Sequence, residues 1–153
     1  NSQNALPSGW KWFLPTEAQW EYACRAGTET AFSFGSMLNG KEANCDGNYP
    51  YGTSTKGPYL EKTMDVESYA ANAWGLYDMH GNVREWCADY YGDYPSGSAT
   101  DPKSATTGSR RVLRGGSWDG FAEFCRSAFR DWDSPGYRGY DLGFRVAAVP
   151  VGR

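Results

Sequence analysis

The residues of this 153-residue chain best placed to do chemistry lie in its last third, where two kinds of position alternate. One kind forms a frame: Arg111-Val112-Leu113-Arg114-Gly115-Gly116-Ser117-Trp118, then Cys125-Arg126-Ser127-Ala128, Arg130, Pro135, Arg138 and Gly143-Phe144-Arg145-Val146. The other is a filling of Asp119, Gly120, Phe121, Phe124, Phe129, Asp131, Trp132, Asp133, Tyr137, Gly139, Tyr140 and Asp141. The filling has neither the helical nor the strand period. Its chemistry is that of contact, since rigid aromatics supply binding area and small or acidic residues supply adaptable polar groups. The competing reading is structural, with the aromatics as core and the Asp and Gly residues as turn formers.

Catalytic sets are harder to assemble. Ser117 sits in a Gly-Gly-Ser turn, and the single histidine, His80, lies in the Tyr77–Asn82 turn with no argued partner, so no Ser-His-Asp arrangement emerges. A surface or hydrogen-bonding role is expected for His80. Cys24, Cys45, Cys87 and Cys125 are too far apart in sequence for metal-ligand spacing. Their parity allows two disulfides, but Cys24 lies in an apolar helical run and Cys87 follows Trp86, which favours buried free thiols. Asp78 and Glu85 bracket a turn containing Gly81, and two hard carboxylates near backbone carbonyls suit Ca²⁺. The alternative is that they cap the turn and pair with Arg84 or Arg114.

The elements that must hold these groups are short. Thr16-Glu17-Ala18-Gln19 has the capping-box pattern and predicts a helix to about Ala26, with Trp20, Ala23 and Cys24 on its inward face. From Phe32 to Ala71 no period persists and a loop is expected. Asn82–Asp89, Arg111–Leu113 and Gly143–Val149 read as strands, and Asp93–Ser109 as a polar surface linker. The frame arginines Arg126, Arg130, Arg138 and Arg145 are expected to pin irregular backbone, because the guanidinium fork reaches several carbonyls and carboxylates at once.

Composition sets outer bounds. The length fits one domain spanning 1–153, and 16% aromatic content with 19 Gly and 8 Pro predicts an irregular α+β fold whose core rests on Trp, Tyr and Phe more than on Leu and Ile. A net charge of −3, with acids interleaved among the C-terminal arginines, gives no general attraction to nucleic acid. No apolar run reaches membrane-spanning length and the start Asn1-Ser2-Gln3-Asn4 is no signal peptide, so the chain reads as a soluble domain without membrane insertion.

Four motifs in order resemble the formylglycine-generating-enzyme (sulfatase-modifying factor) family. They are Leu14 to Ala23, Trp74 to Trp86, Arg114-Gly115-Gly116-Ser117-Trp118 and Gly143-Phe144-Arg145-Val146. The resemblance implies that family's C-type-lectin-like fold, loop-rich with short strands and few helices. It also implies that the sequence is either a minimal domain or the C-terminal part of a longer protein. The family's oxidases hold copper between two cysteines that fall after the Gly-Gly-Ser motif, and thiolates select that soft ion. Here the interval Trp118 to Cys125 is short and its sole cysteine directly precedes Arg126. No local pair forms, so neither copper nor formylglycine synthesis is expected. Related iron-dependent sulfoxide synthases need histidines from a helical domain, which this chain lacks, so iron is not expected either.

The frame is more similar to the variable proteins of diversity-generating retroelements, which display adenine-mutagenised positions on this fold. Asp, Gly, Phe and Tyr can arise from an Asn codon by changes at its first two bases, whereas Trp132 and Glu123 cannot. The resemblance thus implies a non-catalytic module whose diversified face, formed by the filling, binds a protein or other macromolecular ligand. For calcium it implies ligation by Asp78, the backbone at Gly81 and Val83, and Glu85. A second family site would use Asn44 and the Cys45 carbonyl, without a clear acidic counterpart near Tyr59.

Overall fold

The computed structural model describes residues 6–94, 96–98, 100, 102, 105 and 107–151. The polar start Asn1–Asn4 and six positions of the expected linker lie outside the described residues. The elements in chain order are β1 (Trp10–Phe13), α1 (Glu17–Arg25), β2 (Arg84–Tyr90), β3 (Arg111–Arg114), a 3-10 turn (Ala122–Cys125), β4 (Asp131–Asp133), β5 (Leu142–Gly143) and β6 (Ala147–Pro150). This is the irregular α+β architecture expected. Among the described residues no helix is long and apolar enough to cross a membrane.

The capping box works as its sequence predicts. The Gln19 N–H donates to the Thr16 hydroxyl at 3.2 Å and the Thr16 N–H donates to the Gln19 side chain at 2.9 Å. Two donors at the helix start are thereby satisfied reciprocally. The helix ends on Ala26 in the left-handed conformation, one residue before Gly27. Trp20 and Cys24 are buried with Met79, Cys87 and Val112, and Ala23 packs beside them.

The main sheet has the order β4-β3-β2-β5. β3 pairs antiparallel with both β2 and β4, while β5 lies parallel to β2 through Arg84↔Leu142 and Glu85↔Gly143. Along β2 burial alternates, with Glu85, Cys87 and Asp89 buried and Arg84, Trp86, Ala88 and Tyr90 half-buried. Successive strand residues face opposite sides, so Arg84 and Glu85 serve different surfaces. The single strand expected over Gly143–Val149 divides in two. β5 joins the main sheet, and β6 pairs with β1 from Trp10↔Pro150 to Phe13↔Ala147. All four β1 residues are exposed, so no apolar periodicity marked that strand.

The expected aromatic core is not what forms. Among the described residues only Trp20 and Phe32 of the large rings are fully buried; the remaining buried hydrophobics are Leu38, Met79, Val112, Leu113, three alanines and all four cysteines, which are free thiols. A loop-rich chain of this size encloses little volume, and small side chains fit it. The other rings instead shield one another or arginines at the surface. The Tyr49 and Phe121 centroids lie 4.0 Å apart, and the Arg110 guanidinium sits 3.4 Å over the Trp132 ring. The Gly-Gly-Ser turn packs directly on the 3-10 turn. Gly116 has φ +71°, and a Cβ there would lie 2.6 Å from Cys125 Sγ and 3.0 Å from the Cys125 backbone.

Candidate binding site

Arginines hold the C-terminal third onto the core. Arg114, 1% exposed, donates to the Phe129 carbonyl, to the Ser127 carbonyl at 2.9 Å and to Glu21. Its Nε faces Glu17 Oε1 at 3.5 Å, an ion pair rather than a hydrogen bond. Arg130 grips both Glu17 oxygens, at 2.6 and 2.8 Å, and the Gly92 carbonyl at 3.0 Å. Arg145 holds Glu85 at 2.5 and 2.6 Å and reaches the carbonyls of Tyr77 and Asp78. Arg126 and Arg138 bond nearby carbonyls, those of Glu123 and of Pro135 and Tyr137. Arg130 and Arg145 thus do the pinning expected of the frame, joined by Arg114, its most buried member, whereas the bonds of Arg126 and Arg138 are local and exposed.

Above that frame lies a cavity of about 310 Å³. Of the filling, Asp119, Gly120, Phe124, Phe129, Asp131 and Asp141 line it, together with Arg84, Leu113, Arg114, Gly116 and Ser117 of the scaffold. Two rows of rings rise from this region. One runs Tyr49, Phe121, Phe124, Phe129 with centroid spacings of 4.0, 5.6 and 4.9 Å. The other runs Tyr59, Trp118, Tyr140 with spacings of 6.3 and 5.6 Å. Ser117 donates to Asp119 at 2.6 Å. The nearby Asp119 charge, then loss of solvent, then a hydrogen bond to Asp119 raise the Tyr140 hydroxyl above its ordinary pKa, although Tyr140 is 74% exposed.

Several filling residues stand elsewhere than a uniform displayed face implies. Asp141 is 7% exposed, and its Oδ2 accepts from Arg84 Nε at 2.8 Å, so it is part of the floor. Asp131 shares that arginine at 2.8 Å and is half-buried. Asp131 to Asp133 form the edge strand β4, where alternation turns Trp132 away from Asp131, onto Arg110 and Tyr91. Asp133 accepts from the Ser134 N–H and shapes the turn that follows. Tyr137 is exposed beside Gly139. Sequence reading missed Arg84, Tyr49 and Tyr59 as members of this region. Tyr49 arrives through an isolated parallel bridge, Asp46↔Phe121, with the Asp46 N–H donating to the Gly120 carbonyl at 2.9 Å. Such a nonlocal bridge leaves no periodic signal.

The fold also gathers thiols that sequence separation kept apart. Cys45 and Cys125 share one buried cluster, and the Cys125 thiol is pushed well up, first by its hydrogen bond with Cys45 and then by burial. Burial pushes Cys24 up to about 12, against the weaker effect of its hydrogen bond with Ser127. Cys24 and Cys125 are thereby held as thiols at neutral pH, and the thiolate is the nucleophile and metal ligand. His80 is buried, which corrects the surface half of its expectation. Its Nε2 accepts from the Ser33 N–H at 3.0 Å, so Nδ1 carries the proton and donates to the Cys125 carbonyl at 2.7 Å.

The turn read as a calcium site is arranged around Arg145. Glu85 is occupied by that guanidinium and by the Trp20 indole N–H at 2.7 Å, while Asp78 Oδ2 accepts from the Glu67 N–H at 3.0 Å. Gly81 donates its N–H to Gly115, and Val83 lies under Gly143. Asn44 uses its amide on the Lys62 carbonyl and Asn82. Calcium needs six to eight oxygen ligands, and at Glu85 it would have to compete with the Arg145 guanidinium that already holds the carboxylate. Among the described residues no three His, Cys, Asp or Glu side chains come together to hold a metal. Added millimolar Ca²⁺ is expected to leave the thermal midpoint unchanged; a calcium-dependent rise of several degrees would contradict this arrangement.

Fold and frame together define a C-type-lectin-like domain of the formylglycine-generating-enzyme type. The chain belongs to the sulfatase-modifying factor enzyme 1-like domain family, whose model matches residues 2–149. It is 39% identical to serine/threonine-protein kinase pkn1 of Chlamydia caviae, over 88% of this chain and 20% of that protein. It is 38% identical to the formylglycine-generating enzyme of Streptomyces coelicolor, over 88% of this chain and 46% of the enzyme. Among solved structures, Treponema denticola variable protein 1 superposes with a TM-score of 0.74 at 38% identity, covering 91% of this chain and 48% of that one. The chain thus spans about half or less of the length of these relatives.

Proposed function

We propose that this chain is a non-catalytic binding module whose diversified recognition surface surrounds the cavity between Phe124, Phe129 and Asp119. The convergence of six filling residues on one cavity above a scaffold that includes the buried Arg114 and the half-buried Arg84 carries this reading. Stability rests on Arg114, Arg130, Arg145 and the buried thiol core, while Phe121, Tyr137 and Tyr140 are exposed. A surface that is to vary needs such a separation. Likeness to a variable protein supports the same reading. The partner expected is a protein or other macromolecule, with the ring rows as anchors.

The test is substitution of Phe121, Tyr137 and Tyr140 by Ala, singly, with unfolding measured in denaturant. Each is expected to stay within about 1 kcal/mol of the parent, because surface changes away from special features cost little. Losses above about 3 kcal/mol, the size of large core truncations, would make these rings core and end the display reading. For diversification itself, the coding DNA is expected to have a nearby near-duplicate of its 3′ end carrying Asn codons at filling positions, beside a reverse transcriptase gene. Absence of that repeat from the complete locus would remove genetic diversification and leave the binding module.

A divergent oxidase is the second reading, favoured by Cys45 lying against Cys125 and by 38% identity to a formylglycine-generating enzyme. Both thiols are buried, and the Cys125 thiol is pushed well up, which counts against it. Tight stoichiometric Cu(I) binding with copper-dependent oxygen uptake would establish it in place of the module.

A further inference from the structure

Resting on the binding-module reading, we propose that the cavity receives a basic side chain, lysine or arginine, from a protein partner. The polar groups of its wall are unequally matched. Arg114 is engaged by Glu21, Glu17 and two carbonyls, and Arg84 is divided between Asp131 and Asp141. Arg114 Nε makes no hydrogen bond, but it faces the Glu17 carboxylate at 3.5 Å, so its charge is already met by an acid. The acids do have acceptor capacity left. Asp141 lines the cavity and is 7% exposed, yet its Oδ1 has no hydrogen-bond partner. A buried carboxylate oxygen without a donor costs free energy until something donates to it. Asp119 adds a second carboxylate on the same wall, held in place by Ser117.

The remaining wall suits the stem of such a side chain. Phe124 and Phe129, with centroids 4.9 Å apart, present ring surface against which methylene groups pack and a cation is attracted. The volume of about 310 Å³ lies at the low end of the roughly 300–1,000 Å³ of ligand pockets, which suits one anchoring side chain. Access to Asp141 depends on the lack of a side chain at position 139. A Cβ on Gly139 would lie 2.4 Å from Asp141 Oδ1 and 2.9 Å from the Tyr137 ring. An anionic anchor would meet Asp119, Asp131 and Asp141 against two arginines, Arg84 already held by two of those acids and Arg114 by Glu17 and Glu21, and like charges oppose it.

The experiment is NMR titration of the whole chain with Nα-acetyl-lysine amide and Nα-acetyl-arginine amide, with Nα-acetyl-norleucine amide and Nα-acetyl-glutamate amide as neutral and acidic probes. The backbone amides of Gly116, Ser117, Gly120 and Gly139 report on the cavity. The basic probes are expected to shift these signals at least tenfold more tightly than norleucine, weakening as salt rises. Asp119→Asn, Asp141→Asn and Gly139→Ala are each expected to reduce that binding several-fold. Asp119→Asn touches neither Arg84 nor the sheet, so it tests the idea even if Asp141→Asn unfolds the chain. Norleucine or glutamate binding as tightly as lysine, or no probe shifting the cavity signals, would overturn the cationic assignment. Neither result touches the module reading, which stands or falls on the ring substitutions above.

Discussion

Replacing Arg114 with Ala is expected to destabilise the chain by about 3–5 kcal/mol, the range for removing one partner of a buried ion pair. For a domain of this size each kcal/mol moves the thermal midpoint by roughly 2–4 °C, so the midpoint falls by roughly 6–20 °C. The side chain has no solvent exposure, and its loss leaves the carbonyls of Phe129 and Ser127 without this donor. Glu17 keeps Arg130, and Glu21 keeps Arg25 at 2.8 Å, so the cost is less than that of a wholly unpaired buried carboxylate. Arg114→Lys is expected to recover only part of the loss, because an ammonium cannot span two carbonyls and two carboxylates at once. The consequence reaches function, since Phe129 lines the cavity and its carbonyl is one of the tethers. Equilibrium unfolding of both variants measures the effect. A loss below about 1 kcal/mol for Arg114→Ala would show that the frame does not depend on this residue.

A second large effect is expected from pH alone. Burial lowers the His80 pKa to about 4, outweighing the hydrogen bond to the Cys125 carbonyl, and Arg25 pushes the same way. An unfolded histidine titrates near 6.5. Between these values the unfolded chain holds more protons than the folded one, so stability rises with pH and is lost as pH falls from about 6.5 towards 4. At about 1.4 kcal/mol per pH unit the full loss is about 3 kcal/mol. The geometry gives the same sign. A proton added to Nε2 would face the Ser33 N–H, a donor, across 3.0 Å, in a site shared with Cys24 at 3.6 Å. His80→Gln is expected to be less stable at pH 7 but to have a flatter stability profile between pH 6.5 and 5, above the range in which ordinary carboxylates titrate. Equal slopes for parent and variant in that window would remove His80 as the source.

What the sequence by itself determined were features with local causes. The capping box needs residues three apart, so Thr16 and Gln19 announced the helix before any packing was known. The chain order of the motifs marked the scaffold, and the aperiodic mixture from Asp119 to Asp141 marked the region that does not build regular structure. The apolar setting of the cysteines foretold free, buried thiols. Tertiary structure decided the rest, because its causes are distant in sequence. Cys45 meets Cys125 and Tyr49 meets Phe121 only once the long loop folds back, and neither pairing leaves a local pattern. Glu85 could have served calcium or arginine on its chemistry alone, and the approach of Arg145 from the last motif gave it to arginine. The filling likewise looked like one displayed set. Strand alternation at β4 and the claim of Arg84 on Asp141 sorted it into a floor, a wall, exposed rings and one tryptophan facing the other way. Residue types fixed which contacts were possible there, and the three-dimensional competition among partners selected those that form.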